Sequence, residues 1–213
     1  MNSGFRWLVV LWICASGCKL WSQTDTFVVA RMGMTNAATY HLVELLQIRG
    51  RWYAPDLLYV DYGKSDYHEL FVGAGRTMLQ SKNFSLANGC YFDAAVGPAA
   101  NNTMYLLPWA YVTYQLTSKI GGETYYFPYV PINRSGTLQH LLERAKLEYS
   151  WAHFKLGLGY SGYKAGNDPW QNRPFITGTL RGGKLGNFEI WLQRLPENKP
   201  QLQLRYVISH KSH

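Results

Sequence analysis

The stretch Leu138–Tyr163, LQHLLERAKLEYSWAHFKLGLGYSGY, decides the fold. It reads as two strands joined by a minimal turn. In the first, Leu141, Ala145, Leu147, Tyr149 and Trp151 share one parity, and Arg144, Lys146, Glu148 and Ser150 share the other. In the second, Phe154, Leu156, Leu158 and Tyr160 alternate with His153, Lys155, Gly157, Gly159 and Ser161. Successive strand side chains point to opposite faces. Each segment therefore has one apolar face that ends in aromatics and one charged or small-residue face. A strand with lipid on one side and a wet interior on the other has this pattern.

Working outward from the hairpin, alternation and turn residues predict further strands. Those before it are Phe27–Met32, Thr39–Arg49, Pro55–Tyr62, Tyr67–Leu79, Gly89–Val96, Met104–Thr117 and Glu123–Ile132. The hairpin itself spans Leu138–Tyr149 and Ala152–Tyr163. Pro174–Arg181, Asn187–Arg194 and Gln201–Ser209 follow. Gly121-Gly122, Gly182-Gly183 and the segment Pro196 to Pro200 are among the turn signals between them. Ala37–Ile48 and Leu138–Lys146 also carry helix-forming residues. Propensity is a weak prior against context, and both read as strand.

The count is twelve, with ten as the alternative. A closed antiparallel barrel with both termini on one side needs an even number. The expectation is an all-β, closed, antiparallel up-and-down transmembrane β-barrel, one domain over residues 23–213. The turns after Tyr149 and Arg181 then lie on the side of the termini. The longer loops at Ile132–Leu138, Tyr163–Pro174 and Arg194–Gln201 lie on the other.

Alternation by itself would also serve a soluble exported β-barrel turned the other way, its apolar face lining a cavity for a lipid or other apolar ligand. Three features favour the membrane. A leader precedes the strands. The polar faces are rich in Gly, Ser, Thr and Gln. Aromatics such as Tyr149, Trp151, Trp109 and Trp170 fall near strand ends, where membrane girdles sit. Leu58, Val60 and Tyr62, Leu70 and Val72, and Leu202, Leu204, Tyr206 and Ile208 repeat the apolar alternation.

Composition agrees. Charged residues are 16% of the 213, well below the ~25% of an ordinary soluble domain, and there are 16 Tyr, 8 Trp and 20 Gly. The net charge of +8 is scattered. With no basic helix and no run of five or more like charges, no nucleic-acid partner is expected.

Residues 1–22 read as a signal peptide: Arg6, the apolar run Trp7–Ile13, then small residues. Lipidation of Cys18, within Ala15-Ser16-Gly17-Cys18, is the alternative to simple cleavage. Cys14 and Cys18 leave with the leader or sit beside it. Cys90 is then expected to be a small buried hydrophobe rather than a disulfide partner.

Catalytic patterns are sparse. A His and a hydroxyl two residues apart on one strand face could activate the hydroxyl for lipid hydrolysis. His210-Lys-Ser212 has that spacing but follows the last predicted strand. His41, His68, His140 and His153 have no hydroxyl at that offset. No zinc spacing occurs, and Gly73-Ala-Gly75 opens no helix. No catalytic, cofactor or metal site is expected.

With leader, alternating strands, tight turns and a final amphipathic strand, the chain resembles Gram-negative outer-membrane β-barrel proteins over nearly its whole mature length. Such proteins usually finish on a terminal aromatic; here Tyr206 and Ile208 are followed by Ser209-His-Lys-Ser-His213. The expected location is the outer membrane, with periplasm or secretion as the alternative. Lipid is the expected partner, on the girdle and lipid-facing residues Tyr149, Trp151, Phe154, Leu156, Leu158 and Tyr160. The expected lumen residues are Arg144, Lys146, Glu148, His153, Lys155, Glu189 and Arg205. Two roles are open to them: pairing that plugs a structural barrel, or a porin-like lining for a small polar or anionic solute.

Overall fold

The computed structural model describes residues 24–35, 39–63, 66–97, 103–133 and 136–211. The expected leader, with Cys14 and Cys18, lies outside the described residues, as does Ser212.

Twelve strands run β1 (Asp25–Met34), β2 (Thr39–Arg49), β3 (Trp52–Asp61), β4 (His68–Gln80), β5 (Phe84–Val96) and β6 (Met104–Gln115), then β7 (Ile120–Pro131), β8 (Gln139–Ser150), β9 (Phe154–Ala165), β10 (Gln171–Arg181), β11 (Asn187–Arg194) and β12 (Pro200–Lys211). Each pairs antiparallel with its neighbours in sequence, and β1 pairs with β12 to close the barrel. The seam runs from Asp25 opposite Lys211 to Met34 opposite Leu202. Twelve is the expected number, and β1 is the strand that makes it even. Closure leaves no unpaired sheet edge, which a lipid environment would not tolerate.

β2 carried a competing helical pattern, yet it is paired on both edges, with β1 and with β3. Ladder bonds to two neighbours override its local propensity.

The outward stripe of the hairpin is exposed as expected. Leu156 is 53% and Leu158 70% accessible. Leu70, Val72, Phe92, Leu106, Leu147, Ile176, Ile190, Leu192 and Ile208 continue this apolar band on neighbouring strands. A contiguous apolar surface of that extent belongs in lipid. The alternative with a polar outside does not fit this placement.

Three expectations are corrected. Leu58 and Val60 line the interior, and Tyr62 follows them at its far end. β3 changes parity at an irregularity between Tyr53 and Asp56, so both of those residues face inward. Trp109 is a buried interior residue rather than a girdle residue. Cys90 is exposed on the outer wall, because its neighbour Tyr91 takes the inward position.

The hairpin holds one irregularity of its own. Leu142 pairs with Gly162 and Ala145 with Tyr160, so Glu143 and Arg144 together face the single position of Ser161. This bulge sends two consecutive charged side chains inward. It also explains why Leu141 lines the interior whereas Leu147 is exposed.

Substituting Leu158→Arg places a charge near the middle of the apolar band and is expected to cost ~2–4 kcal/mol of folding free energy in lipid vesicles. Urea titration of the refolded barrel checks this; a cost near zero would mean that Leu158 faces water.

Candidate functional site

The interior has two walls of different chemistry. On β3–β7 the inward positions are aromatic and apolar: Phe71, Tyr91, Tyr105, Leu107, Trp109 and Phe127 form one buried cluster, with Tyr53, Tyr125 and Tyr129 against it. Glycines make room for these rings. Gly75 and Gly89 pair across β4 and β5, and a Cβ on either would lie 2.2–2.4 Å from the Trp109 ring. A Cβ on Gly73 would lie 2.2 Å from Tyr91. The tryptophan and tyrosine therefore lie against bare backbone.

The opposite wall is charged. Arg144 Nε donates to Glu123 at 2.6 Å, and its guanidinium also bonds Glu143. Glu143 in turn holds Arg31. Lys146 Nζ sits among three carboxylates: Glu189, Glu123 at 3.2 Å and Glu148 at 3.3 Å. Arg205 reaches Glu189 at 3.3 Å and Lys155 reaches Glu148 at 3.4 Å. Thr177 and Thr179 add hydrogen bonds to Glu189 and Glu148. The network rests on Phe175 and Trp191, which stack at 4.3 Å; Arg31 and Lys146 lie over the Trp191 ring at 5.4 and 5.8 Å. Gly159 makes this stack feasible, since a Cβ there would lie 2.2 Å from Phe175. Buried charges are tolerated only when paired and hydrogen-bonded, and this cluster meets that condition.

Described residues line two cavities inside the barrel. One of about 610 Å³ opens toward the termini; it is polar and lined by the β4–β5, β6–β7 and β8–β9 turn regions, with Glu123, Glu148 and Lys155 at its inner limit. The other, about 490 Å³, lies between the aromatic wall and Arg31, Glu44, Glu143, Arg144 and Arg205. Arg144 lines one and Glu123 the other, and the two are bonded to each other. The ion-pair layer is thus the partition between the cavities.

At the far end Tyr163 donates to Gln139 at 2.7 Å, and Gln139 donates to Tyr105 at 3.0 Å. Arg173 lies over the Tyr163 ring and donates to Gln171. Just beyond the strands, Tyr62 and Tyr67 both donate to Glu69 at 2.7 Å. Burial pushes both phenols above their ordinary range, and the adjacent carboxylate adds to it.

Of the expected lumen residues, Arg144, Lys146, Glu148, Lys155, Glu189 and Arg205 converge in the one network. His153 does not: it is exposed in the β8–β9 turn, because β9 begins only at Phe154. Of the expected girdle residues, Tyr149, Trp151 and Phe154 form one aromatic group at the terminal end, with rings 4.5 and 5.6 Å apart and Lys119 over Tyr149. Tyr160, bonded by Trp170 and to Asn172, serves the other end of the outer wall.

Sequence reasoning missed Arg31, Glu44, Asp56, Glu123, Glu143 and Arg173. A usable signal existed: a charged residue inside a strand of a membrane barrel has to face the lumen. The aromatic wall had no such signal, since its residues share the chemistry of the lipid face.

For hydrolysis a histidine must reach a hydroxyl. Among the described residues such a contact joins Tyr126 OH and His140 Nδ1 at 2.7 Å, with the rings stacked. The described residues hold no group of three or more His, Cys, Asp or Glu placed to bind a metal.

No protein-family model and no curated protein matches the sequence. Solved structures do match in fold. KdgM porin aligns at 10% identity and TM-score 0.63, covering 88% of this chain and 99% of its own. NanC porin aligns at 10% identity and TM-score 0.63, over 88% of this chain and 100% of its own. An outer-membrane channel from Pseudomonas putida F1 aligns at 15% identity and TM-score 0.65, over 91% and 97%. The chain shares their barrel fold over most of its length.

Replacing Lys146 with Met leaves Glu123, Glu148 and Glu189 without their shared cation. The folded barrel is expected to lose about 3–5 kcal/mol. Combining Lys146→Met with Glu189→Gln should restore part of that loss in the same denaturant titration.

Proposed function

We propose that this chain is a narrow, porin-like channel of the outer membrane that passes small polar solutes. The observation that carries the reading is the pair of lumen cavities, one on each side of a charged partition, within a closed barrel whose outside is apolar. A barrel of twelve strands lies between those that side chains fill and those that hold an aqueous pore. The fold likeness to KdgM and NanC porins and to the Pseudomonas channel supports the location and the role. One KdgM porin structure is in complex with disordered oligogalacturonate, so a barrel of this shape can admit a polar solute.

The partition limits flow. Arg144, Lys146, Glu123 and Glu189 are linked directly, and a solute crosses only by exchanging those contacts for its own. Paired charges of both signs replace hydration without closing the path to polar groups. The described connections between strands are short, none longer than seven residues. The lumen side chains themselves therefore set the bore.

Purified protein in planar bilayers is expected to give small, discrete conductance steps. Shortening the partition with Lys146→Ala together with Glu123→Ala should raise the step size. A folded, inserted barrel that gives no steps with either form would remove the channel role and leave a plugged structural barrel.

A further inference from the structure

The two walls of the 490 Å³ cavity differ in how their charges are matched. Arg31, Arg144 and Arg205 are each bonded to Glu143, Glu123 or Glu189. Three other carboxylates line the cavity with no ion-pair partner among the described residues: Glu44, Asp56 and Glu69, the last accepting from Tyr62 and Tyr67. Asp56 is 2% exposed; its Oδ2 accepts the Tyr91 hydroxyl at 2.5 Å, and its Oδ1 has no hydrogen-bond partner. Glu44 lines the same cavity, and no lysine or arginine forms an ion pair with it among the described residues. Asp56 pairs with Leu46 and Glu44 with Leu58, so the two carboxylates are diagonal neighbours on the inner face of β2 and β3. Such positions lie about 7–8 Å apart. A buried carboxylate with an unmatched oxygen is costly unless a cation or donor meets it.

Around them is a cage of rings. Trp109 lies 6.0 Å from Tyr53, 6.2 Å from Tyr91 and 6.1 Å from Tyr125, and Tyr125 donates to Tyr91 at 3.3 Å. The ring faces attract cations through their quadrupole. One already does so: the Arg144 guanidinium lies 5.4 Å from the Tyr125 centroid. Asp56 meets the Tyr91 hydroxyl, Glu44 feels the positive charges of Arg205, Arg144 and Arg31, and no group of three metal-ligating side chains forms among the described residues. The cage of rings suits a bulky, weakly hydrated cation better than a metal ion.

We propose that this cavity binds an organic ammonium ion, with Asp56 and Glu44 balancing its charge and Tyr53, Tyr91, Trp109 and Tyr125 packing around its alkyl groups. The inference rests on the channel reading in one respect: solute has to reach the cavity from a barrel mouth. It names the substrate class of the channel as cationic, the sign opposite to that of an acidic saccharide.

The test is equilibrium binding to the detergent-solubilised, full-length barrel by titration calorimetry, with conductance measured in parallel. Choline is the probe. Its neutral isostere 3,3-dimethylbutanol and the anion galacturonate are the controls. Saturable choline binding is expected, with neither control binding comparably. Asp56→Asn, and separately Glu44→Gln, should weaken it about tenfold, as should Trp109→Leu. Heat-modifiable gel migration confirms that each variant is folded; Glu44→Gln serves if Asp56→Asn does not fold. A folded barrel that ignores choline, or that binds galacturonate or the neutral isostere as well, overturns the proposal. If it conducts while ignoring choline, the channel role survives without the ammonium site. If it binds choline without conducting, the site stands and the channel role falls.

Discussion

The structure depends on one requirement: every backbone N–H and C=O that meets lipid needs a partner within the protein, because the hydrocarbon offers none. The β1–β12 ladder meets it by closing the sheet. Once the sheet is closed, alternate side chains have only two places to go. Leu156, Leu158 and Ile176 go to lipid, and Lys146, Glu148 and Glu189 go to the lumen. The site is a consequence of closure rather than of any local motif.

Closure also forces the interior to be packed and charge-matched. Phe175 and Trp191 occupy the space released by Gly159, and Trp109 the space released by Gly75 and Gly89. Glu123, Arg144, Lys146, Glu148 and Glu189 gather into one layer, where Lys146 serves three carboxylates. A buried pair of this kind contributes little net stability against an apolar replacement. Its effect is to hold the partition at one height in the barrel. Asp56 lies outside that layer, bonded to Tyr91 of the aromatic wall, and this separation makes the two walls chemically different.

The errors of the sequence reading share a physical cause. Strict alternation fails wherever a strand takes an extra residue, and β3 and β8 both do so. At Glu143-Arg144 the bulge turns a charge on the apolar parity into a lumen ligand for Arg31. In β3 the change of parity brings Asp56 inside together with Tyr53. Trp109 was misplaced for a different reason. A tryptophan suits an interface and a packed lumen equally well, and its place depends on glycines that are distant in sequence.

Alternation, the even strand count and the position of turns were determined by the sequence itself, because period-two patterning and glycine-marked turns are local properties of the chain. So was the inward placement of Lys146, Glu148, Lys155, Glu189 and Arg205, since charge cannot face lipid. The tertiary structure decided which carboxylate meets which cation, which tyrosines and tryptophans form the inner wall, and that one oxygen of Asp56 is left without a hydrogen-bond partner. Those outcomes depend on barrel register and on two bulges. Register brings together residues from strands far apart in sequence, such as Lys146 and Glu189, and no local spacing encodes that meeting.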